Sequence, residues 1–264
     1  MLEFSLHQGT SLYGRAPHDA LRLISVAAAP DGHTLEILWA MCTHLQHLGY
    51  PTVVLDGSAT ETAEAPGLVD LLDRHLWIEA PLTTHPPSEQ SLAVLPAARG
   101  LAALSAASHQ GAPPLHRLQP LLRRYAVVVL YAPVGRLCSN LMEGCAASPL
   151  VLLAEGDDAI MQTYADLKWL ALHAGLTATV ASLARSPQQH STAPQRLRVL
   201  SECAGKHLEQ VPRTLALDAK HPADLQRLAL DLLENAEILA PSGLCTALPS
   251  PRGASNAPHY ATSH

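Results

Sequence analysis

The residues with the clearest chemical potential lie in a turn between an apolar stretch and an amphipathic one, within residues 21–48. Such a turn can bind phosphate when glycine N–H groups point at the anionic oxygens, a lysine neutralises the charge and a Ser or Thr holds magnesium. The candidate cofactor-binding residues are therefore those of the turn together with the acid that ends the next apolar stretch: Ala29, Pro30, Asp31, Gly32, His33, Thr34 and Asp56.

This turn lacks most of the groups that phosphate binding requires. Gly32 is its single glycine, Pro30 has no N–H to donate, and the carboxylate of Asp31 would repel an anion. The lysines of the chain all lie at or beyond position 168 (Lys168, Lys206 and Lys220). We therefore expect no catalytic residues here and interpret the turn as a remnant of a nucleotide pocket.

Two strand ends near the turn could carry a metal-binding carboxylate. The stretch 126–132 ends where an α/β nucleotidase presents an aspartate, but this chain has Tyr131 there. Asp56 ends the stretch 51–56 and is the one acid left in a suitable position. It is either a remnant of the pocket or, as we favour, a turn residue in the sequence Asp56-Gly57-Ser58.

Elements that could position these residues follow from the alternation of apolar and amphipathic stretches. Continuous apolar runs predict strands buried on both faces, at 21–29, 51–56, 91–96, 126–132, 149–155, 177–184 and 213–218. Helices are predicted near 34–48, 66–75, 97–108, 115–125, 157–174, 191–208 and 222–239. The pattern predicts a doubly wound α/β domain with a mostly parallel sheet of about seven strands and helices on both faces.

The domain is expected to span residues 21–240. Residues 1–20 would form an N-terminal extension, and residues 241–264, rich in Pro, Ser and Ala, are predicted to be disordered. The start of the chain has an acidic Glu3 and no basic region of the kind that precedes a secretory signal.

Composition excludes several classes of protein. The 264 residues are 48% hydrophobic and 15% charged, as in globular domains, and the net charge of −6 gives no reason to expect nucleic-acid binding. No apolar run approaches the ~20 residues of a membrane-spanning helix. The five cysteines are scattered without a C-x-x-C pair, which favours reduced thiols in a cytoplasmic protein.

A metal site is not predicted, although the chain has 15 histidines. His44 and His47 lie three residues apart on one predicted helix, with His33 and Glu36 near its start. No further ligand has a spacing that would complete the site, so we expect solvent-exposed helical histidines.

The last predicted helix, residues 222–240, could dock on the sheet or bind a membrane surface. Its polar positions carry four acids against a single Arg227: Asp224, Asp231, Glu234 and Glu237. This balance disfavours anionic lipid, so docking on the sheet is the favoured interpretation.

The order of elements resembles the MinD/ParA group of deviant P-loop ATPases, and within it the FlhG (FleN) family of flagellar-number regulators. That family reads I-x-V-x-S-G-K-G-G-V-G-K-[ST] at its first strand, then a helix ending in L-G, then a strand ending in D-x-D. Ile24, Val26, Leu48-Gly49 and Asp56 match this frame. The catalytic lysine of the family would fall at Thr34 or Leu35, depending on the register, and neither register contains a lysine.

Four further stretches are similar to family segments in the same order, and the resemblance as a whole covers roughly residues 7–217. They are "GLVDLL" (67–72), "LAVLPAARGLAALSAAS" (92–108), "LQPLLRRYAVVVLYAPVG" (118–135) and "LLAEGDDAIMQTYADLKWL" (152–170). Ala126 and Tyr131 replace two aspartates of the family pattern. The resemblance implies a P-loop NTPase-like fold whose nucleotide site has lost its charged groups.

A short N-terminal element also resembles the FlhG family. That family carries D-Q-A-x-x-L-R before its ATPase domain, an element thought to contact the partner GTPase FlhF, and this chain reads "HQGTSLY" at 7–13. The resemblance implies that Gln8 and Leu12 bind a partner. The alternative is an N-terminus without a function.

Taken together, these expectations describe a non-catalytic regulator of flagellar assembly, number or placement that acts through protein contacts. Its partner would be an FlhF-type GTPase or a basal-body component, it would need no cofactor, and it would not form a homodimer switched by ATP. One alternative is a divergent ATPase that binds ATP and magnesium with Arg99 or Arg136 as a substitute cation. Another is a positioning factor for pilus or cellulose-secretion machinery.

Overall fold

The fold is described by a computed structural model for residues 20–29, 32–73, 92–107, 113–154, 156 and 158–239. Its strands are β1 (Leu21–Ala27), β2 (Thr52–Asp56), β3 (Ala93–Pro96), β4 (Val127–Ala132), β5 (Leu150–Leu153), β6 (Thr179–Ala184), β7 (Arg213–Asp218) and β8 (Glu237–Leu239). Its α-helices are α1 (Gly32–His47), α2 (Leu68–Asp73), α3 (Ala98–Ala106), α4 (Val134–Leu137), α5 (Ala159–Trp169), α6 (Pro187–Leu208) and α7 (Pro222–Glu234). Short 3₁₀ turns occupy Pro114–Leu118 and Asn140–Met142, and a π-helical turn, Leu170–Ala174, extends α5.

The strands form one sheet in the order β3-β2-β4-β1-β5-β6-β7, all parallel, and β8 pairs antiparallel with β1. In the centre, β1 and β4 pair from Arg22↔Val127 to Ala27↔Ala132. Every residue of β4 is buried, as expected of a strand covered on both faces. The predicted doubly wound, mostly parallel α/β fold with helices on both faces of the sheet is confirmed.

Alternate residues of the central strands contribute to two hydrophobic cores, one on each face of the sheet. Leu23 and Val128 belong to the core on which α2 to α6 pack, whereas Ile24 and Val129 belong to the core beneath α1 and α7. Helix α7 buries Leu228 there, so the predicted docking of this helix on the sheet is confirmed.

Two predicted helices were wrong in part. The helix predicted at 222–239 ends at Glu234, and residues 237–239 form β8, whose pairing partner lies more than 200 residues away and leaves no local pattern. The helix predicted at 115–125 is a single 3₁₀ turn, Pro114–Leu118, because Pro120 cannot donate the hydrogen bond that would continue it.

Several expectations concern features at the limits of the described residues. The N-terminal extension up to residue 19 and the tail from residue 241 lie outside them, so these boundaries stay predictions.

Cys42, Cys138, Cys145 and Cys203 are free thiols, and burial raises the pKa of Cys42 to about 12. Over the described part of the chain, no helix combines the length and apolar character needed to cross a bilayer.

Candidate functional site at the carboxyl end of β1

The crevice at the carboxyl end of β1 is the topological switch point of the sheet. β1 is followed by α1 on one face, whereas its neighbours β4 and β5 are followed by α4 and α5 on the other. Ligands of open α/β sheets bind where neighbouring connections diverge in this way. The turn identified in the sequence therefore lies where sheets of this kind bind their ligands.

The connection from β1 to α1 is short. The strand ends at Ala27 and the helix begins at Gly32, which leaves residues 28–31 between them. Four residues make an ordinary strand-to-helix connection, whereas a phosphate-binding loop of the G-x-x-x-x-G-K type is longer and rich in glycine. The connection therefore has fewer backbone N–H groups than such a loop, and Pro30 contributes none.

The predicted turn residues are distributed unevenly in the structure. Ala29 is described and partly buried, and Thr34 is fully buried in the first turn of α1. Gly32 and His33 belong to α1, but the surroundings of the His33 side chain lie outside the described part of the chain, as do Pro30 and Asp31 altogether.

Tyr131 closes the space beneath this connection. Its side chain is only 4% exposed and packs in the core beneath α1, and its hydroxyl donates to the Ala29 carbonyl at 3.4 Å. An aromatic ring therefore stands at the position where the family pattern has an aspartate. A group held in the core in this way cannot coordinate magnesium.

Replacement of Tyr131 by aspartate is expected to destabilise the protein by about 3 kcal/mol or more without creating nucleotide binding. The change removes a large buried ring and introduces a carboxylate with no described cation beside it. Urea unfolding followed by circular dichroism measures the loss. Tyr131→Phe, which removes only the hydroxyl, should cost about 1 kcal/mol; similar losses for both variants would contradict this explanation.

Asp56 is a turn residue in the structure. Its Oδ1 accepts from the Ser58 N–H at 2.9 Å, the Ser58 hydroxyl at 2.6 Å and the Ala59 N–H at 3.2 Å. Within the described part of the chain, no donor reaches Oδ2. The carboxylate is thus held in a fixed orientation by one oxygen and keeps the other available.

Two arginines of the described residues near the crevice pair with protein atoms. Arg185, which follows β6, forms an ion pair with Glu36 in the first turns of α1. Arg196 of α6 donates to the carbonyls of Ala154 and Gly156 beyond β5, at 3.0 and 3.2 Å. Both arginines are therefore engaged by the protein itself rather than arranged around an anion.

Arg99 and Arg136, the substitute cations considered from the sequence, belong to other parts of the fold. Arg99 lies in the first turn of α3 and Arg136 lies in α4. Both helices pack on the face of the sheet opposite α1.

Glu61 is a buried carboxylate that sequence reasoning missed. It is 2% exposed and accepts from the N–H groups of Arg99 and Gly100, both at 2.7 Å, and of Val69 at 3.4 Å. Burial raises its pKa, but these backbone donors outweigh burial and hold the pKa below its usual range. The side chain caps α2 and α3 at once, so the N-terminus of α3 is already occupied by an anion of the protein.

A cavity of about 210 Å³ opens beside the carboxyl end of β2. Its walls are mostly apolar and come from α1, the edge strand β3 and the central strands, with Leu35, Trp39, Val94, Asp56 and Tyr131 among them. Trp39 is 54% exposed and Val94 46% exposed. Large apolar side chains in solvent around a concave surface are typical of an interaction site.

The remaining predicted residues do not add to this site. In the described ranges, no three His, Cys, Asp or Glu side chains converge to hold a metal ion, and His44 and His47 lie in the last turn of α1. Gln8 and Leu12 lie outside the described residues.

No family model and no curated protein matches the sequence. Two solved structures of cobyrinic acid a,c-diamide synthase from Mycobacterium smegmatis, one with bound ADP and magnesium, are 16% identical to it, with TM-scores of 0.42 and 0.43. Each alignment covers 81% of this chain and 94% of the other. A protein of Corynebacterium diphtheriae is 13% identical, with a TM-score of 0.46 over 81% of this chain and 98% of its own. These values are too low to support an argument about function.

Proposed function

We propose that this chain is a non-catalytic regulator of MinD/FlhG type, a pseudo-ATPase that acts in the cytoplasm through protein contacts in flagellar assembly, number or placement. The observation that carries the proposal is the crevice at β1: its connection has four residues, Tyr131 fills the space beneath it, and no lysine precedes position 168. With Tyr131 in place of a metal-binding carboxylate and no lysine at the connection, the described part of this crevice lacks groups that stabilise a phosphoryl transfer.

The flagellar role and the FlhF-type partner rest on the resemblance of the sequence to the FlhG family, including Gln8 and Leu12. A positioning role in pilus or cellulose secretion fits the fold equally well. Gene neighbourhood separates the two: adjacent flagellar genes with an FlhF-type GTPase support the first, and a pilus or cellulose operon supports the second.

Titration of the full chain with ATP, ADP and GTP in the presence of magnesium, followed by calorimetry, is expected to give no binding heat at micromolar nucleotide. Within the described residues, the Arg185 guanidinium beside the crevice is already paired with Glu36, which makes it less available to an anion. Micromolar binding would favour the alternative of a divergent ATPase. Light scattering of the same samples should show an oligomeric state that ATP does not change.

A further inference from the structure

The cavity beside β2 has a size and a polarity that together restrict its occupant. At about 210 Å³ it falls below the roughly 300 Å³ at which sites for small molecules begin, so a nucleotide does not fit. One long side chain does. Its apolar wall at Leu35 and Val94 suits an aliphatic stem, since long charged side chains bury their stems along apolar surface.

The charge at the cavity selects a cation. Asp56 lines the cavity, and its Oδ1 is held by Ser58 and Ala59 while no described donor reaches Oδ2. An apolar occupant would cover this oxygen without supplying a donor, which is costly for a charged group. A cation would instead gain a charge-assisted hydrogen bond to an acceptor that is already oriented.

The aromatic wall favours arginine over lysine. The partly exposed ring of Trp39 stands at the same cavity as the Asp56 carboxylate. A planar guanidinium can stack on an indole while it donates to a carboxylate, whereas an ammonium is a strongly hydrated point charge.

A second copy of this chain is a poor occupant. A two-fold contact through this surface would bring the same carboxylate, Asp56, from both copies to one interface, where like charges repel. The cavity is also not filled from within the same molecule by an arginine that the structure describes, because none of these arginines lines it. The charge therefore favours a separate protein.

We propose that the cavity between α1 and β3 binds an arginine side chain presented by a partner protein, with its guanidinium on Asp56 and Trp39 and its stem along Leu35 and Val94. This proposal rests on the proposed function, because that function requires a surface for protein contacts. It assigns that surface to the cavity. It also gives Asp56 a role that requires neither nucleotide nor metal.

The test uses the indole N–H signals of the full-length, ¹⁵N-labelled chain, whose tryptophans are Trp39, Trp77 and Trp169. The probe is N-acetyl-arginine amide, and its neutral control is N-acetyl-citrulline amide. The Trp39 signal, identified with a Trp39→Phe variant, is expected to shift in a saturable way at millimolar arginine compound, as suits a single side chain. The citrulline compound should have little effect, and the Trp169 signal on α5 should not move.

The decisive variant is Asp56→Asn, which keeps the oxygen that accepts from Ser58 and Ala59 and removes the charge. It should weaken binding of the arginine compound by roughly tenfold or more. The matched control, Glu202→Gln, removes an exposed carboxylate on α6 and should leave binding unchanged. Equal shifts with citrulline, no saturable shift, or full binding by Asp56→Asn would each overturn the proposal.

One further arm tests the source of the arginine. If Arg15, Arg74 or Arg252 of this chain, all outside the described residues, occupied the cavity, then Arg15→Gln, Arg74→Gln or Arg252→Gln would move the Trp39 signal without any probe. That result would overturn the assignment to a partner, and an unmoved signal supports it. The outcome is separable from the nucleotide titration, because nucleotide binding would contradict the pseudo-ATPase proposal without altering the response to arginine.

Discussion

Replacement of Gly67 by alanine is expected to cost about 3 kcal/mol or more of the free energy of unfolding, a large fraction of the roughly 5–15 kcal/mol that keeps an ordinary domain folded. A Cβ at this position would lie 2.0 Å from the carbonyl oxygen of Pro96 and 2.8 Å from Cγ of Glu61. Because the carbonyl belongs to the backbone at the end of β3, no side-chain rotation relieves the overlap. Urea unfolding followed by circular dichroism measures the effect. If too little of the variant accumulates for this measurement, its soluble yield is compared with that of the wild type.

The matched control is Gly135→Ala in α4. A Cβ at Gly135 meets nothing within 4 Å, and alanine is the better helix former, so this variant should be neutral or stabilised by up to about 1 kcal/mol. Comparable losses of unfolding free energy in the two variants would show that the close packing of Gly67 against β3 does not cause the loss at Gly67.

Replacement of Glu61 by glutamine is expected to destabilise the protein by about 2–3 kcal/mol, even though the two side chains have nearly the same shape. The carboxylate accepts from Arg99, Gly100 and Val69 with both oxygens. Glutamine has one acceptor oxygen, and its NH₂ group would face a backbone N–H. Glu64→Gln, an exposed change three residues away, should stay within about 0.5 kcal/mol of the wild type.

The same variant should change how stability depends on pH. The folded-state pKa of Glu61 lies below its unfolded value of ~4.3, so its contribution is complete above that value and is lost as pH falls through the folded pKa. Unfolding free energies measured from neutral pH into this acid range should fall less steeply in Glu61→Gln than in the wild type. Parallel curves would contradict the assigned role of the carboxylate.

The difference between Glu61 and Glu64 shows where sequence reasoning ended. Both lie in the polar stretch "DGSATETAEAPG", and no periodicity distinguishes them. Only the folded chain brings Arg99 and Gly100, nearly forty residues away, to Glu61 and leaves Glu64 in solvent. The pairing of Glu36 with Arg185 is likewise set by tertiary structure.

Other features were readable from the sequence because each has a local cause. Continuous apolar runs marked the seven parallel strands, since strands buried on both faces require apolar residues at consecutive positions. The missing lysines and Tyr131 are matters of residue type, so the prediction of a remnant nucleotide pocket could be made from the sequence alone. The cavity at Trp39 could not be predicted, because its walls meet only when α1 packs beside the edge strand β3.

The pairing of β8 with β1 has a consequence for how the protein is made. On one side β1 pairs with β4, and on the other it shares its edge between β5, at Val26, and β8, from Leu21 to Leu23. β1 is synthesised before every strand that it pairs with, and the edge of its amino-terminal half that faces β8 is hydrogen-bonded only once residues 237–239 have been made. During synthesis the amino-terminal half of β1 therefore keeps backbone hydrogen-bonding groups without their β8 partners until more than two hundred further residues have been translated.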